Sequence, residues 1–404
     1  MPSATPKLTE TPLPTETPTL TPTISPTPVP PPATATPKPV TFGIILQGVF
    51  NDHSWNEAHF VAAQYVKKNL AGSDFISIDK LNSWDRPTLN LEMAVNDLRT
   101  KGVRLIFTTL DDFRADTITV AQKFPDITFI NVSGDSAWKD GNNYKALPNL
   151  GNFMGKMEYG KMIAGCAAAL TTQTSKIGYL GPLSNERTRR LAAATYLGAK
   201  YCWTVFAKKN PADLKFSVKW IGYWFNLPGH TLDPTQVTSD FYTTGNDVVI
   251  SSIDTNEPML VAGQRAKKGE KVWALPDNYK DGCASVPEVC LGVPYFNWGP
   301  RYLKTVRAFQ EDSLKQTWAW DEPNWQDLNN PDTSPIGFTF GKALSGDSQA
   351  QLTRFIQGLA DGSIHLWKGP IKLQDGTLYI KDGASATDQE IWYLPALLDG
   401  MTAK

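Results

Sequence analysis

Residues 41–70 read TFGIILQGVFNDHSWNEAHFVAAQYVKKNL. The apolar run FGIILQ (42–47) is typical of a buried strand, and NEAHFVAAQYVKKNL (56–70) is typical of an amphipathic helix. A short loop of polar and aromatic residues separates the two. A buried strand, a short loop and a helix form the unit from which parallel sheets are built.

This unit repeats along the chain, and the alternation restarts after about residue 150. The predicted strands are 42–47, 73–79, 103–109, 127–133, 175–181, 216–224, 247–254, 270–276 and 289–296. The predicted helices are 56–70, 89–102, 115–125, 156–171, 184–200, 234–244, 257–268, 300–315 and 348–361, and a short β-rich region follows at 372–380. Two successive blocks of this kind predict an α/β protein with two doubly wound lobes and a ligand cleft between them.

Residues 1–40 have a different composition from the rest of the chain, with 13 Pro, 11 Thr and no aromatic residue. Such a segment has no apolar face to bury, so we expect an extended tether that holds a domain away from a surface. A disordered tail without that role is the alternative. The remaining stretch of about 360 residues is too long for one compact core, which again favours two lobes.

The charge balance excludes several classes of partner. The chain has 39 Lys and Arg against 40 Asp and Glu, a net charge of −1, so nothing favours nucleic acid or an anionic membrane surface. No apolar run reaches the length of about 18 residues that spans a bilayer, and no secretory signal is present.

The four cysteines lack metal-type spacing, and an even number fits disulfides in an oxidising compartment. Cys283 and Cys290 are the favoured pair, because they bracket a short loop, and Cys166 and Cys202 are the second candidate pair. Reduced, buried thiols are the alternative.

Aromatic residues and Asp or Asn recur in the loops that follow the predicted strands. The candidate ligand-binding residues are Asn51, Asp52, Trp55, Asp112, Phe113, Trp224, Phe225, Asn226, Asp254, Asp277, Asn297 and Trp298. These side chains suit a neutral, flat solute that forms hydrogen bonds. No cluster of Arg or Lys converges on the loops, which disfavours a solute that carries phosphate. The alternative for the first loop is a helix cap with Trp55 in the core, and Asp112 could likewise cap the next helix.

Motifs of enzymes are missing from the sequence. There is no G-x-S-x-G, no P-loop, no G-x-G-x-x-G and no H-E-x-x-H, and only four His are present. The sequence therefore predicts no catalytic residue, no metal site and no cofactor.

Taken together, the motifs resemble the basic membrane protein (BMP) family of ABC-transporter substrate-binding lipoproteins, which bind purine nucleosides or nucleobases. The segments that carry the resemblance are G-x-x-x-D-H-x-W-x-x-x-H (48–59), IFTT-x-x-x-F (106–113), VAQKFPDITF (120–129), GKMEYGKMIAGCAAALTTQTSKIGYLG (155–181), Trp224-Phe225-Asn226, Asp254-Thr255, Asn297-Trp298-Gly299-Pro300 and WKGPIKLQDGTLYIKDGASATDQEIW (367–392). The resemblance implies a type I periplasmic-binding fold with a hinge between an N-terminal lobe (41–148 plus 287–330) and a C-terminal lobe (149–286 plus 331–404).

The same resemblance implies how the solute is held. A base would stack between Trp55 and either Trp224 or Phe225, with polar contacts from Asn51, Asp52, Asp112, Asp254 and Asp277. A sugar or a flavin-like ring would use the same types of side chain.

The implied function is that of an extracytoplasmic receptor, monomeric and tethered by a lipid anchor, which delivers a purine to a membrane permease and binds no nucleic acid. A ligand sensor for a signalling receptor and a nucleoside hydrolase are the alternatives.

Overall fold

The computed structural model describes residues 1–4 and 38–403. The predicted tether lies almost entirely outside these residues. From Val40 onward, strands and helices alternate, which confirms the predicted α/β class. The strands are β1 (Val40–Ile45), β2 (Ser73–Ile78), β3 (Leu105–Thr108), β4 (Thr128–Val132), β5 (Leu150–Gly155), β6 (Lys176–Gly181), β7 (Lys215–Trp220), β8 (Val248–Ser251), β9 (Trp273–Leu275), β10 (Gly292–Phe296), β11 (Trp318–Asp321), β12 (Ile336–Phe340), β13 (Ile371–Lys372), β14 (Leu378–Ile380) and β15 (Met401–Ala403). The helices are α1 (Trp55–Asn69), α2 (Leu91–Thr100), α3 (Arg114–Lys123), α4 (Met157–Thr171), α5 (Glu186–Tyr201), α6 (Pro234–Thr243), α7 (Glu257–Ala266), α8 (Gly299–Gln310), α9 (Gly346–Ala360) and α10 (Asp388–Trp392).

The first sheet has six parallel strands in the order β11-β5-β4-β3-β1-β2. The chain moves in one direction from β1 to β2 and in the other from β2 to β3 and β4. Because such crossovers are right-handed, α1 lies on one face of the sheet and α2 and α3 lie on the opposite face. Phe42, Phe107 and Phe129 are fully buried between these layers.

The second sheet has five parallel strands in the order β15-β7-β6-β8-β9. The direction reverses here as well, between β6 and β8, so α5 lies on one face and α6 and α7 lie on the other. In open sheets of this kind, ligands bind beyond the carboxyl ends of the strands where the order reverses. The reversals fall between β1 and β3 in the first sheet and between β6 and β8 in the second.

A third, antiparallel pair of strands, β10 and β12, lies on the path between the two sheets. Within residues 38–403 the chain passes between the sheets three times. It passes through α4 on the way from β5 to β6, through β10 on the way from β9 to β11, and through β12 on the way from β11 to β15.

Two details of the sequence prediction need correction. The predicted strands omit the segment LGNFMG (150–155), but it is strand β5, and a Cβ at Gly155 would lie 2.8 Å from Ile336 Cγ2. β5 pairs with β4 in the first sheet, although residues from 149 onward were assigned to the second lobe. The division into lobes at the predicted residues stays a prediction. The strand expected to reach Trp224 ends at Trp220, because Gly222 turns the chain with a φ of +105°.

The four cysteines form two disulfides. Cys166 in α4 bonds to Cys202 with a Cα–Cα distance of 5.2 Å, and Cys283 bonds to Cys290 with a Cα–Cα distance of 5.6 Å. The first bond holds α4 to the π-helical turn Cys202–Phe206, which continues α5. None of the helices in the described part of the chain has both the length and the apolarity that crossing a bilayer requires.

Candidate functional site

The loops at the carboxyl ends of the two sheets contact each other. The Nε1–H of Trp224, in the loop after β7, donates to Asp112 Oδ2, in the loop after β3, over 2.6 Å. The Nδ2–H of Asn278, after β9, donates to Ser54 Oγ, after β1, over 3.1 Å. We call the space between these two sets of loops the cleft.

One arginine connects both sides of the cleft. Arg187 lies in the first turn of α5, between the capping-box residues Asn185 and Thr188, and its Nη1–H donates to Asp111 Oδ1 over 2.8 Å. Its guanidinium carbon lies 4.1 Å from the ring centre of Trp55 and 4.9 Å from that of Trp224. The guanidinium therefore lies between an indole from each side, in a favourable cation–π geometry.

The first cleft loop caps the start of α1, the helix that follows it. Both oxygens of Asp52 accept hydrogen bonds at the start of α1, from the backbone N–H groups of Ser54, Asn56 and Glu57 over 2.9–3.0 Å. Trp55 is 1% exposed, and its Nε1–H donates to the carbonyl of Thr109 over 2.7 Å. These contacts are those of the alternative, in which Asp52 caps the helix and Trp55 belongs to the core.

A cavity of about 470 Å³ opens between the two sets of loops. Its lining includes Gly48, Asp52, Asn56, Lys80, Trp84 and Asp85 from the first sheet's loops and Phe225, Asn226, Leu227, Asp254, Thr255 and Glu257 from the second's. Phe225 and Trp84 are joined by Tyr223, whose ring centre lies 5.1 Å from the first and 5.0 Å from the second. The volume and the mixture of aromatic and polar groups are those of a small-molecule site.

Asp254 is the most deeply buried carboxylate of the cavity, with 4% of its surface exposed. Its Oδ1 accepts from Asn278 Nδ2 over 3.3 Å, and its backbone N–H donates to the carbonyl of Trp224 over 2.7 Å. Burial raises the pKa of Asp254 well above its usual value, and the negative charges of Asp52, Asp277 and Asp112 raise it further, against the opposing effect of Arg187.

A buried ion pair lies beside this carboxylate. Lys161 of α4 is fully buried, and its Nζ donates to Asp277 Oδ2 over 2.6 Å and to the carbonyl of Ser251 over 3.2 Å. Burial lowers the pKa of Lys161, and Asp277 opposes that change. The other oxygen of Asp277 is buried without a hydrogen-bond partner among the described residues.

The structure brings together eight of the twelve predicted residues and places four elsewhere. Asp52, Phe225, Asn226 and Asp254 line the cavity, and Trp55, Asp112, Trp224 and Asp277 lie next to it. Asn51 is exposed, and Phe113 is 7% exposed within the first core. The Nδ2–H groups of Asn297 donate to the carbonyls of Pro331 and Ser334, and Trp298 stacks on Phe296 and His59 in the core.

Four further residues lie at the cleft and were not predicted from the sequence: Arg187, Lys161, Trp84 and Glu257. The sequence predicts no cluster of Arg or Lys on the loops themselves, and Arg187 and Lys161 instead reach the cleft from helices, each paired with its own carboxylate. For Arg187 the available signal was its position two residues after Asn185, a helix-capping residue that comes four residues after the predicted strand 175–181. Lys161 lies within an apolar helix, and its position gave no such signal.

The sequence profile described as "ABC transporter substrate-binding protein PnrA-like", the Bmp family, matches residues 40–274. A purine-binding protein of Brucella abortus is 25% identical to the chain over 354 residues, which cover 86% of this chain and 89% of that protein. A protein of Haloferax volcanii, named as an ABC transporter glucose-binding protein, is 23% identical over 269 residues, which cover 67% of this chain and 61% of that protein.

Among solved structures, a solute-binding protein of an ABC transporter system from Aeropyrum pernix superposes with a TM-score of 0.64. The alignment is 12% identical and covers 89% of this chain and all of that one. This likeness confirms the fold that the sequence motifs imply, a type I periplasmic-binding fold.

Proposed function

The chain belongs to the Bmp family of ABC transporter substrate-binding proteins, and we propose that it binds a purine nucleobase or nucleoside in the cleft and delivers it to a membrane permease. Substrate-binding proteins of ABC systems work outside the cytoplasmic membrane. The purine-binding relative, which aligns along most of both chains, supports the choice of solute.

The observation that carries this proposal is the 470 Å³ cavity between the switch points of the two sheets. Phe225 offers an aromatic face there, while Asp254 and Asn226 offer acceptors and a donor for the edge of a base. We propose Phe225 rather than Trp55 as the stacking residue, because Trp55 is buried and its ring already contacts Arg187.

Binding of a sugar is the second candidate, because one relative is named for glucose. Carboxylates and an aromatic face also suit sugar hydroxyls and the apolar face of a pyranose. A purine would bury a larger aromatic surface against Phe225 than glucose would.

Calorimetric titration of the full chain with adenine, hypoxanthine, adenosine, inosine, riboflavin and glucose tests the proposal. We expect at least one purine to bind and glucose to give no heat. Binding of glucose without binding of any purine would contradict it. Release of hypoxanthine from inosine would instead identify a nucleoside hydrolase.

A variant pair locates the site. We expect Phe225→Ala to weaken purine binding by about 1–3 kcal/mol. The matched control is Phe340→Ala, since Phe340 is also partly exposed but lies on β12, away from the cavity lining. Equal affinities of the two variants would place the solute elsewhere.

Residues 1–40 fit this function as a spacer between a lipid anchor and the binding domain. Removal of residues 1–37, which leaves β1 intact, should leave purine affinity unchanged and reduce uptake in cells that carry the permease.

A further inference from the structure

The cavity in the cleft has an excess of acidic side chains. Asp52, Asp85, Asp254 and Glu257 line it, and Lys80 is the one basic residue among its described lining residues. Glu257 Oε2 is buried and has no hydrogen-bond partner in the described part of the chain. Burying carboxylates without partners is costly, and a positively charged guest offsets that cost better than a neutral one.

Arg187 and Lys161, the two cations beside the cavity, do not neutralise this excess, because each already has its own carboxylate, which leaves Lys80 as the one lining cation against four carboxylates. Arg187 pairs with Asp111 at 2.8 Å, and Lys161 pairs with Asp277 at 2.6 Å. Asp254 faces Asp52, Asp112 and Asp277, with Arg187 as the opposing charge. Within residues 38–403, its one side-chain hydrogen bond is the 3.3 Å contact from Asn278 to Oδ1. A nine-tenths buried carboxylate with a free oxygen therefore lines the cavity.

The cleft already holds one planar cation. The guanidinium of Arg187 lies between the indoles of Trp55 and Trp224, at 4.1 and 4.9 Å from their ring centres. This arrangement supports the inference, because the faces of aromatic rings attract flat, positively charged groups. Phe225, the next residue after Trp224, and Trp84, in the loop after β2, both line the cavity and extend the aromatic surface into it.

We propose that the preferred solute is a planar organic cation, so that within the purine class a positively charged purine binds more tightly than its neutral counterpart. This inference rests on the proposed function, from which it takes the binding site and the purine class. It adds the positive charge of the solute. The raised pKa of Asp254 supports it, since a cation in the cavity would lower that pKa and make binding release protons. A metal ion is a poor alternative, because no group of three or more His, Cys, Asp or Glu among the described residues is arranged to hold one.

Two pairs of isomers test the proposal with the full chain at pH 6.5. 1-Methyladenosine is a cation at this pH, and N6-methyladenosine is a neutral molecule of otherwise identical atoms. The second pair is 7-methylguanosine, the cation, and 1-methylguanosine, its neutral isomer. We expect the cationic isomer of each pair to bind at least tenfold more tightly in calorimetric titrations. In two buffers of different ionisation enthalpy, only the cationic isomers should show proton release.

Charge-removing variants provide the control. Asp254→Asn and Glu257→Gln should each reduce the ratio of affinities between the isomers severalfold. Asp361→Asn, which removes a fully solvent-exposed charge, should leave the ratio unchanged.

Equal affinities of the isomers, or tighter binding of the neutral one, would overturn the inference and leave the purine proposal standing. Binding of adenosine without binding of either methylated isomer would also overturn it. Failure of every purine to bind would overturn both proposals.

Discussion

The indole nitrogen of Trp224 and the carboxylate of Asp112 form a 2.6 Å hydrogen bond that joins the loop after β7 to the loop after β3. Trp224 is 2% exposed, and burial together with the adjacent Asp111 raises the pKa of Asp112, which the hydrogen bond from Trp224 opposes. This bond links the two sheets directly at the edge of the cavity.

Trp224→Phe keeps an aromatic ring and removes the donor. Because a hydrogen bond to a charged group contributes about 1.5–3 kcal/mol, we expect purine affinity to fall by roughly tenfold or more through weaker contact between the loops. Calorimetric titration measures the change. Trp203→Phe is the control, since it removes an indole N–H that donates to the carbonyl of Asn210, which precedes the amino end of β7, whereas the cleft loop follows its carboxyl end. Unchanged affinity in Trp224→Phe would show that the bond has no part in binding.

Arg187→Ala should empty the space between Trp55 and Trp224 and leave Asp111 unpaired. We expect the free energy of unfolding to fall by about 3 kcal/mol, measured by urea denaturation. Millimolar ethylguanidinium should restore part of the melting temperature, because it can occupy the same space. Arg265→Ala removes an arginine that is paired with Glu270 outside the cleft, and ethylguanidinium should not raise the melting temperature of this variant. Equal response of both variants would contradict this role of the indoles.

Asp254 should contribute to the pH dependence of the free energy of unfolding. Its folded-state pKa is raised, so between about pH 4 and that pKa the folded protein holds a proton that the unfolded chain has lost. This group therefore lowers the free energy of unfolding as the pH rises through that window. We expect the melting temperature of Asp254→Asn minus that of the unchanged protein to increase steadily from pH 4 to pH 8. A difference that does not change with pH would contradict the prediction.

The two disulfides should differ in their contribution to stability. Cys166–Cys202 closes a loop of 36 residues and Cys283–Cys290 closes one of 7. The loss of chain entropy predicts that replacing the first pair by Ala costs about 1.5 kcal/mol more than replacing the second. Urea denaturation of the two double variants measures the difference, and thiol counts before and after reduction verify that each remaining bond is formed.

The sequence predicted the alternation of strands and helices because each buried strand is a continuous apolar run bounded by polar loops. β5 was missed because Gly151 and Gly155 weaken its apolar pattern, although they are there to let Ile130 and Ile336 pack closely. The sequence did not predict β11, β12 and β15, because their pairing depends on contacts between residues far apart in the chain.

Local pattern identified the cleft loops, because loops at the carboxyl ends of parallel strands converge. It could not decide between a helix cap and a ligand contact for Asp52, since both use the same carboxylate beside the same helix. It could not place Arg187 between two indoles either. That position depends on how the two sheets face each other, which no single segment encodes.

The last strand, β15, pairs with β7 at the edge of the second sheet, and β7 leads directly into the loop that carries Trp224 and Phe225. Met401–Ala403 thus form one border of the strand that leads into this loop. A substitution that disrupts this short pairing would therefore loosen β7 and, with it, the loop that places Phe225 in the cavity.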